Sequence, residues 1–124
     1  MELVFEASMT DTEAKINGRK AVGKHQGGFY RFVADVTDRV NFGKKNILEV
    51  TVSKDSENGS VNLAERRADY WNFGGLFRPV FLRAKPAVNI RHFAIDAKAD
   101  GTFKANVIRI SLLRVHRYER CFWI

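Results

Sequence analysis

Glu13-Ala14-Lys15-Ile16-Asn17-Gly18-Arg19-Lys20-Ala21-Val22-Gly23 decides the fold class. Ala14 and Ile16 alternate with Glu13 and Lys15, so an extended chain places the apolar pair on one face. Asn17-Gly18 supplies the two positive backbone angles that a two-residue type I′ turn requires. Arg19 to Val22 returns and Gly23 ends the run, which predicts a hairpin between Thr12 and His25.

The same period continues outward. Val4 to Met9 is a short strand-like run, open on its N-terminal side. Gly27-Gly28 leads into Phe29 to Val36, where Phe32, Ala34 and Val36 oppose Arg31, Val33 and Asp35. Thr37 to Gly43 is a turn with room for one helical turn. Ile47 to Ser53 follows, with Leu48, Val50 and Val52 inward and Glu49, Thr51 and Ser53 outward. Lys54 to Arg67 is polar and reads as a long irregular loop, a kind that carries function on a β scaffold. Asn58-Gly59-Ser60 within it matches a glycosylation acceptor, a three-residue pattern that chance supplies often.

After Lys85-Pro86, a second hairpin alternates Phe93, Ile95 and Ala97 with Ala94, Asp96 and Lys98. It turns at Ala99-Asp100-Gly101 and returns through Phe103, Ala105 and Val107. Residues 109–124 show neither period and form an atypical basic tail without assignment. Many short strands, glycine-marked turns and almost no helix signal indicate an all-β sandwich or barrel.

Composition narrows the function. The chain has 124 residues, enough for one ordinary domain. Its apolar runs are broken by charge well short of the ~20 residues of a membrane helix. Met1-Glu2-Leu3-Val4-Phe5-Glu6 lacks the basic and apolar regions of a signal peptide, and the compartment stays open. The net charge of +7 raises nucleic acid as a partner. Residues 87–124 hold seven Lys/Arg against three Asp/Glu, so the excess gathers at the tail rather than in a cluster, and nucleic-acid binding is a minor reading. Cys121 is the only cysteine, so no internal disulfide forms. Beside Phe122 and Trp123 it reads as a small apolar residue, since a reactive thiol would need a partner such as His116.

Ala68 to Leu82, Ala-Asp-Tyr-Trp-Asn-Phe-Gly-Gly-Leu-Phe-Arg-Pro-Val-Phe-Leu, gathers a carboxylate, an amide and four aromatics ahead of an apolar strand. Polar groups for hydroxyls and flat rings for pyranose faces are what a sugar site uses. A plain sandwich core uses the same mixture.

The order of the pieces resembles the sugar-binding, jelly-roll domain of glycoside hydrolase family 2, which includes β-galactosidases, β-glucuronidases and β-mannosidases. The resemblance runs from about Val4 to Pro86. It is carried by Phe5-Glu6, Ala14-Lys15-Ile16-Asn17-Gly18, Val22-Gly23, His25-Gln26-Gly27-Gly28-Phe29 and Phe32-Val33-Ala34-Asp35-Val36-Thr37. Asn46-Ile47-Leu48-Glu49-Val50-Thr51-Val52 and Asp69-Tyr70-Trp71-Asn72-Phe73-Gly74-Gly75-Leu76-Phe77-Arg78 complete it. It implies a jelly-roll domain over residues 1–86, partial at its N-terminus, and the start of an immunoglobulin-like domain over 87–108. Residues 109–124 stay unassigned. It also implies a retaining glycosidase whose two glutamates sit on a separate (β/α)₈ barrel, with carboxyl groups about 5–5.5 Å apart. No such barrel lies within these residues, so this chain alone is expected to be inactive. Unpaired sheet edges make self-association an expectation.

The resemblance implies that Asp69 reaches into the barrel's pocket and meets sugar hydroxyls of a β-glycoside. In some β-galactosidases the matching carboxylate also meets a monovalent cation; no other cofactor or metal is implied. The plainer reading of Asp69 is a solvated carboxylate or an ion pair with Arg66 or Arg67. Trp71 is expected at the border of the site, with Asn72 and His25 as weaker contacts. Tyr70, Phe73 and Phe77 are the other rings, and Phe73 and Phe77 are assigned to packing, because burying such a side chain contributes ~1.5–3 kcal/mol. Arg78 is expected to anchor the loop. His25, His92 and His116 lack companions at metal-ligand spacing. Glu65 and Asp69 stand four apart, but without a helix this spacing is accidental. The rival is a free-standing carbohydrate- or protein-binding β-sandwich with no enzyme attached.

Overall fold

Strand β1 (Glu2–Phe5) has Leu3, Val4 and Phe5 all buried, as a central strand covered on both faces must be. The computed structural model describes residues 1–67, 69, 71–111 and 114–123, with the backbone alone described for Ser111 and 114–123. The chain divides into two units, Met1–Ala84 and Lys85–Ile124.

The first unit contains β1, β2 (Asp11–Ile16), β3 (Arg19–His25), β4 (Phe32–Asp35), β5 (Leu48–Ser53), a helix α1 (Gly59–Arg66) and β6 (Val80–Arg83). They form two antiparallel three-stranded sheets, ordered β4-β1-β6 and β3-β2-β5. Leu3 and Phe5 from one sheet meet Ala14, Ile16 and Val22 from the other, and Val36 completes this core. The register sets Phe5 opposite Phe32, and their rings stack at 4.6 Å. This is a β-sandwich, as the alternation predicts.

The β2–β3 hairpin turns at Asn17 (φ 52°) and Gly18 (φ 75°), the predicted type I′ signature. Asn17 does more than turn. Its carboxamide donates to the Arg39 carbonyl and to Asn46 Oδ1, both at 2.9 Å, and its Oδ1 accepts from the Ile47 amide at 3.0 Å. The hairpin tip thereby holds the 39–47 connection. The turn that leads into that connection spans residues 36–40, closed by the Arg39 and Val40 amides both donating to the Val36 carbonyl.

Residues 54–67 correct the sequence reading. They are not an irregular loop, because α1 occupies Gly59–Arg66. Asn58, within the nominal glycosylation pattern, is the helix N-cap, and its Oδ1 accepts from the Ser60 amide at 3.0 Å. Asn62 ties the helix back by accepting from the Ser56 amide and donating to the Ser56 carbonyl. The helix buries no residue, and Leu63 is exposed. It therefore lacks the apolar stripe by which short helices are ordinarily seen and stabilised, and leans on its end contacts instead.

The second unit is one antiparallel sheet ordered β7-β8-β9, from β7 (Asn89–Ala97), β8 (Thr102–Ser111) and β9 (Arg114–Trp123). Phe93 opposes Val107, Ile95 opposes Ala105 and Ala97 opposes Phe103, so the predicted apolar alternation shares one face. Asp100 caps the turn by accepting from the Thr102 amide, and Gly101 takes φ 85°. Within the tail without a period, residues 109–111 end β8, and Arg114–Trp123 pair with β8 as β9. Its sequence could not announce this, because an outer strand needs backbone partners and not an alternating face. The side chains of Cys121 and His116 lie outside the described residues.

Candidate functional site

The segment leaving α1 is tethered before, within and after the residues of interest. Arg66, the last helical residue, has a side chain only 10% exposed, and its Nε bonds Asp55 Oδ1 at 2.9 Å. Glu65 accepts from the Gly28 amide at 2.8 Å and from Thr10 Oγ1 at 3.4 Å, which ties the helix to the Gly27-Gly28 turn. Asn72 Nδ2 donates back to the Arg66 carbonyl at 3.2 Å. Gly75 then pairs with Met9 through two backbone bonds of 3.0 Å each.

Between these tethers stand Asp69 and Trp71. Asp69 is exposed, and among the described residues it makes no hydrogen bond or ion pair. The alternative pairing with Arg66 does not occur, since Asp55 holds that guanidinium. Trp71 is 85% exposed, an unusual state for the largest apolar side chain in a domain that has a core available. Tyr70 lies outside the described residues.

The remaining aromatics form a ledge. Phe73 stacks on Phe77 with centroids 5.1 Å apart, Phe29 meets Phe77 edge-on at 6.5 Å, and the Arg78 guanidinium lies 5.8 Å from the Phe77 centroid. Phe77 is half-buried, whereas Phe73 is 49% exposed. The ledge is thus part packing and part surface.

His25 ends β3, away from this tethered segment in the chain. Its ring stacks on Phe32 at 3.6 Å and meets Tyr30 edge-on. Burial lowers its pKa, against a hydrogen bond to the Gly27 carbonyl and the nearby carboxylates of Glu65 and Asp11. Its Nε2 is buried without a hydrogen-bond partner. Neither a hydrogen bond nor a ring contact joins His25 to Asp69, Trp71 or Asn72 among the described residues. Asp11 is similarly enclosed at the start of β2. Burial raises its pKa, but bonds from Ser56, the Glu57 amide and Gln26, with Lys24 nearby, outweigh that and hold it low.

Chemically, the tethered segment offers one carboxylate with free acceptor capacity and one open indole face. Glu65 is committed to a main-chain donor, so it and Asp69 make no acid–base pair. Among the described residues no group of three or more His, Cys, Asp or Glu collects to hold a metal ion. The sequence pattern alone did not expose the tethers at Asp55, Glu65 and Arg66. Asn58, as an N-cap, was the available signal for the helix that places them.

Residues 1–86 match the family model described as the sugar binding domain of glycosyl hydrolases family 2. This chain belongs to that family. A putative β-glucuronidase of Formosa agariphila is 30% identical over 94 residues, covering 76% of this chain and 11% of that protein. A β-galactosidase of Thermoanaerobacter pseudethanolicus is 28% identical over 106 residues, covering 83% and 14% respectively. Among solved structures, a β-glucuronidase of Faecalibacterium prausnitzii superposes with a TM-score of 0.70 at 23% identity, over 99% of this chain and 28% of that one. The chain thus spans a small fraction of the family 2 relatives it matches. Its first unit is the family's sugar-binding β-sandwich, and Asp69 and Trp71 lie in the part of it that leads into β6.

Proposed function

We propose that this sugar-binding domain contributes Asp69 and Trp71 to the glycone pocket of a family 2 glycosidase, whose (β/α)₈ barrel supplies the chemistry. The observation that carries the reading is a carboxylate without a partner among the described residues, set beside an open indole on a backbone tethered at both ends. An ionised carboxylate accepts strong, short bonds from sugar hydroxyls, and an indole face packs against the C–H side of a pyranose. Asn72 is the weaker candidate, because one of its amide N–H groups already serves the Arg66 carbonyl. His25 is weaker still, enclosed between rings at the end of β3. A monovalent cation fits here as a shared guest, with Asp69 supplying one carboxylate, since no group of three or more His, Cys, Asp or Glu collects among the described residues to hold it. The second unit corresponds in this proposal to the opening strands of an immunoglobulin-like domain.

The relatives are named β-glucuronidases and a β-galactosidase, so both sugars are the probes. Titrating the chain with methyl β-D-glucuronide and methyl β-D-galactoside, followed by amide NMR, is expected to shift Asp69 and Trp71. Asp69→Asn is expected to weaken binding about ten- to hundredfold, the worth of a charged hydrogen bond. An unchanged spectrum at those two residues with either sugar overturns the reading. Hydrolysis of an aryl β-glycoside by the chain alone overturns its non-catalytic part.

A further inference from the structure

Asp69 and Trp71 have no bonds of their own among the described residues, so something else must decide where they point. The nearest side-chain bond described is Asn72 Nδ2 to the Arg66 carbonyl, which closes the backbone on itself across six positions. The carbonyl it grips is itself fixed. Arg66 is anchored through its nine-tenths-buried side chain to Asp55, and Glu65 pins the preceding residue to the Gly28 amide. Beyond Asn72, the Gly75–Met9 pair holds the outgoing chain to the start of β2. Among the described residues, Asn72 is the one side-chain link between these anchors that lies inside the segment.

We infer that Asn72 is a positioning residue: it holds Asp69 and Trp71 in a presented geometry rather than touching sugar itself. The inference rests on the reading of Asp69 and Trp71 as the sugar-facing pair. A loop ordered before the ligand arrives loses less conformational freedom on binding, so the closing bond contributes to affinity without making a contact. A carboxamide whose N–H serves a helix-terminal carbonyl satisfies one of the orphan acceptors at that end, a bond exposed to strong competition only from water.

The test separates this claim from the one beneath it. Asn72→Asp keeps the size and removes the donor, while Asn72→Gln keeps the donor on a longer arm. ¹⁵N heteronuclear NOEs at Asp69 and Trp71 report order without any sugar. Asn72→Asp is expected to lower both, to leave Met9 unchanged, and to reduce glycoside affinity about two- to tenfold at unaltered Tm. Asn72→Gln is expected to recover part of both effects. Full order retained in Asn72→Asp overturns the inference. So does lost affinity with order unchanged, which would make Asn72 a direct sugar contact. If the wild-type chain responds to neither methyl glycoside, the sugar-facing reading fails, and the NOEs still decide what Asn72 holds.

Discussion

The two units use the same hairpin grammar and reach opposite results. In the first, Leu3, Phe5, Ala14 and Ile16 are no more than 2% exposed, because a second sheet lies across the first. In the second, Ile90, Phe93 and Ile95 are 61%, 53% and 57% exposed on a single three-stranded sheet. Alternation prepares an apolar face, but only another layer buries it. Burial is therefore a property of the layer opposite and not of the strand that bears the residues.

The largest expected break in this contrast is Phe5→Ala. It removes a fully buried ring stacked on Phe32 and is expected to destabilise the first unit by about 3–5 kcal/mol in urea denaturation. Gly18→Ala comes next. Open space surrounds the new methyl, but φ 75° strains a side-chain-bearing residue, and a loss of about 1–2 kcal/mol is expected from the same measurement.

A pH titration of stability sharpens the contrast further. Burial lowers the folded pKa of His25 below its ordinary 6.5, so the unfolded chain takes up the proton first. Stability is then flat above about pH 7 and declines as pH falls below 6.5. His25→Phe keeps a ring against Phe32 and is expected to flatten that decline. Asp11 and Asp35, both held below the ordinary 3.8, take over at lower pH, where stability is lost as they protonate. A decline of equal size in His25→Phe would show that another group carries it.

Phe93→Thr should matter least to folding, within about 0.5 kcal/mol, because the ring is half-exposed already. Its expected effect is on association: sedimentation velocity should show less self-assembly than for wild type, since the substitution shrinks an uncovered apolar face. A matching drop in stability near that of Phe5→Ala would mean that Phe93 is covered.

Much of the sandwich was legible because period and turn chemistry are local. Asn17-Gly18 specified its turn, and Leu48, Val50 and Val52 specified a strand, whatever surrounded them. α1 was not legible. It has no buried face, and its stabilising bonds, Glu65 to Gly28 and Arg66 to Asp55, span residues far apart or outside any periodic pattern. β9 escaped for a related reason, since its ladder to β8 is made by backbone groups that every residue carries. Asp69 and Trp71 stood out by type, whereas the role of Asn72 required the geometry.

An all-β chain with two hairpins, and a family resemblance carried by ordered short motifs, were readable from the sequence alone. These depend on side-chain alternation and turn conformations, which neighbours in the chain settle. Contacts across space alone settled that Arg66 belongs to Asp55, that Asn72 closes on Arg66, and that Asp69 has no partner among the described residues. Those outcomes depend on which groups meet across space, and a carboxylate among several arginines carries no mark of which one it will reach.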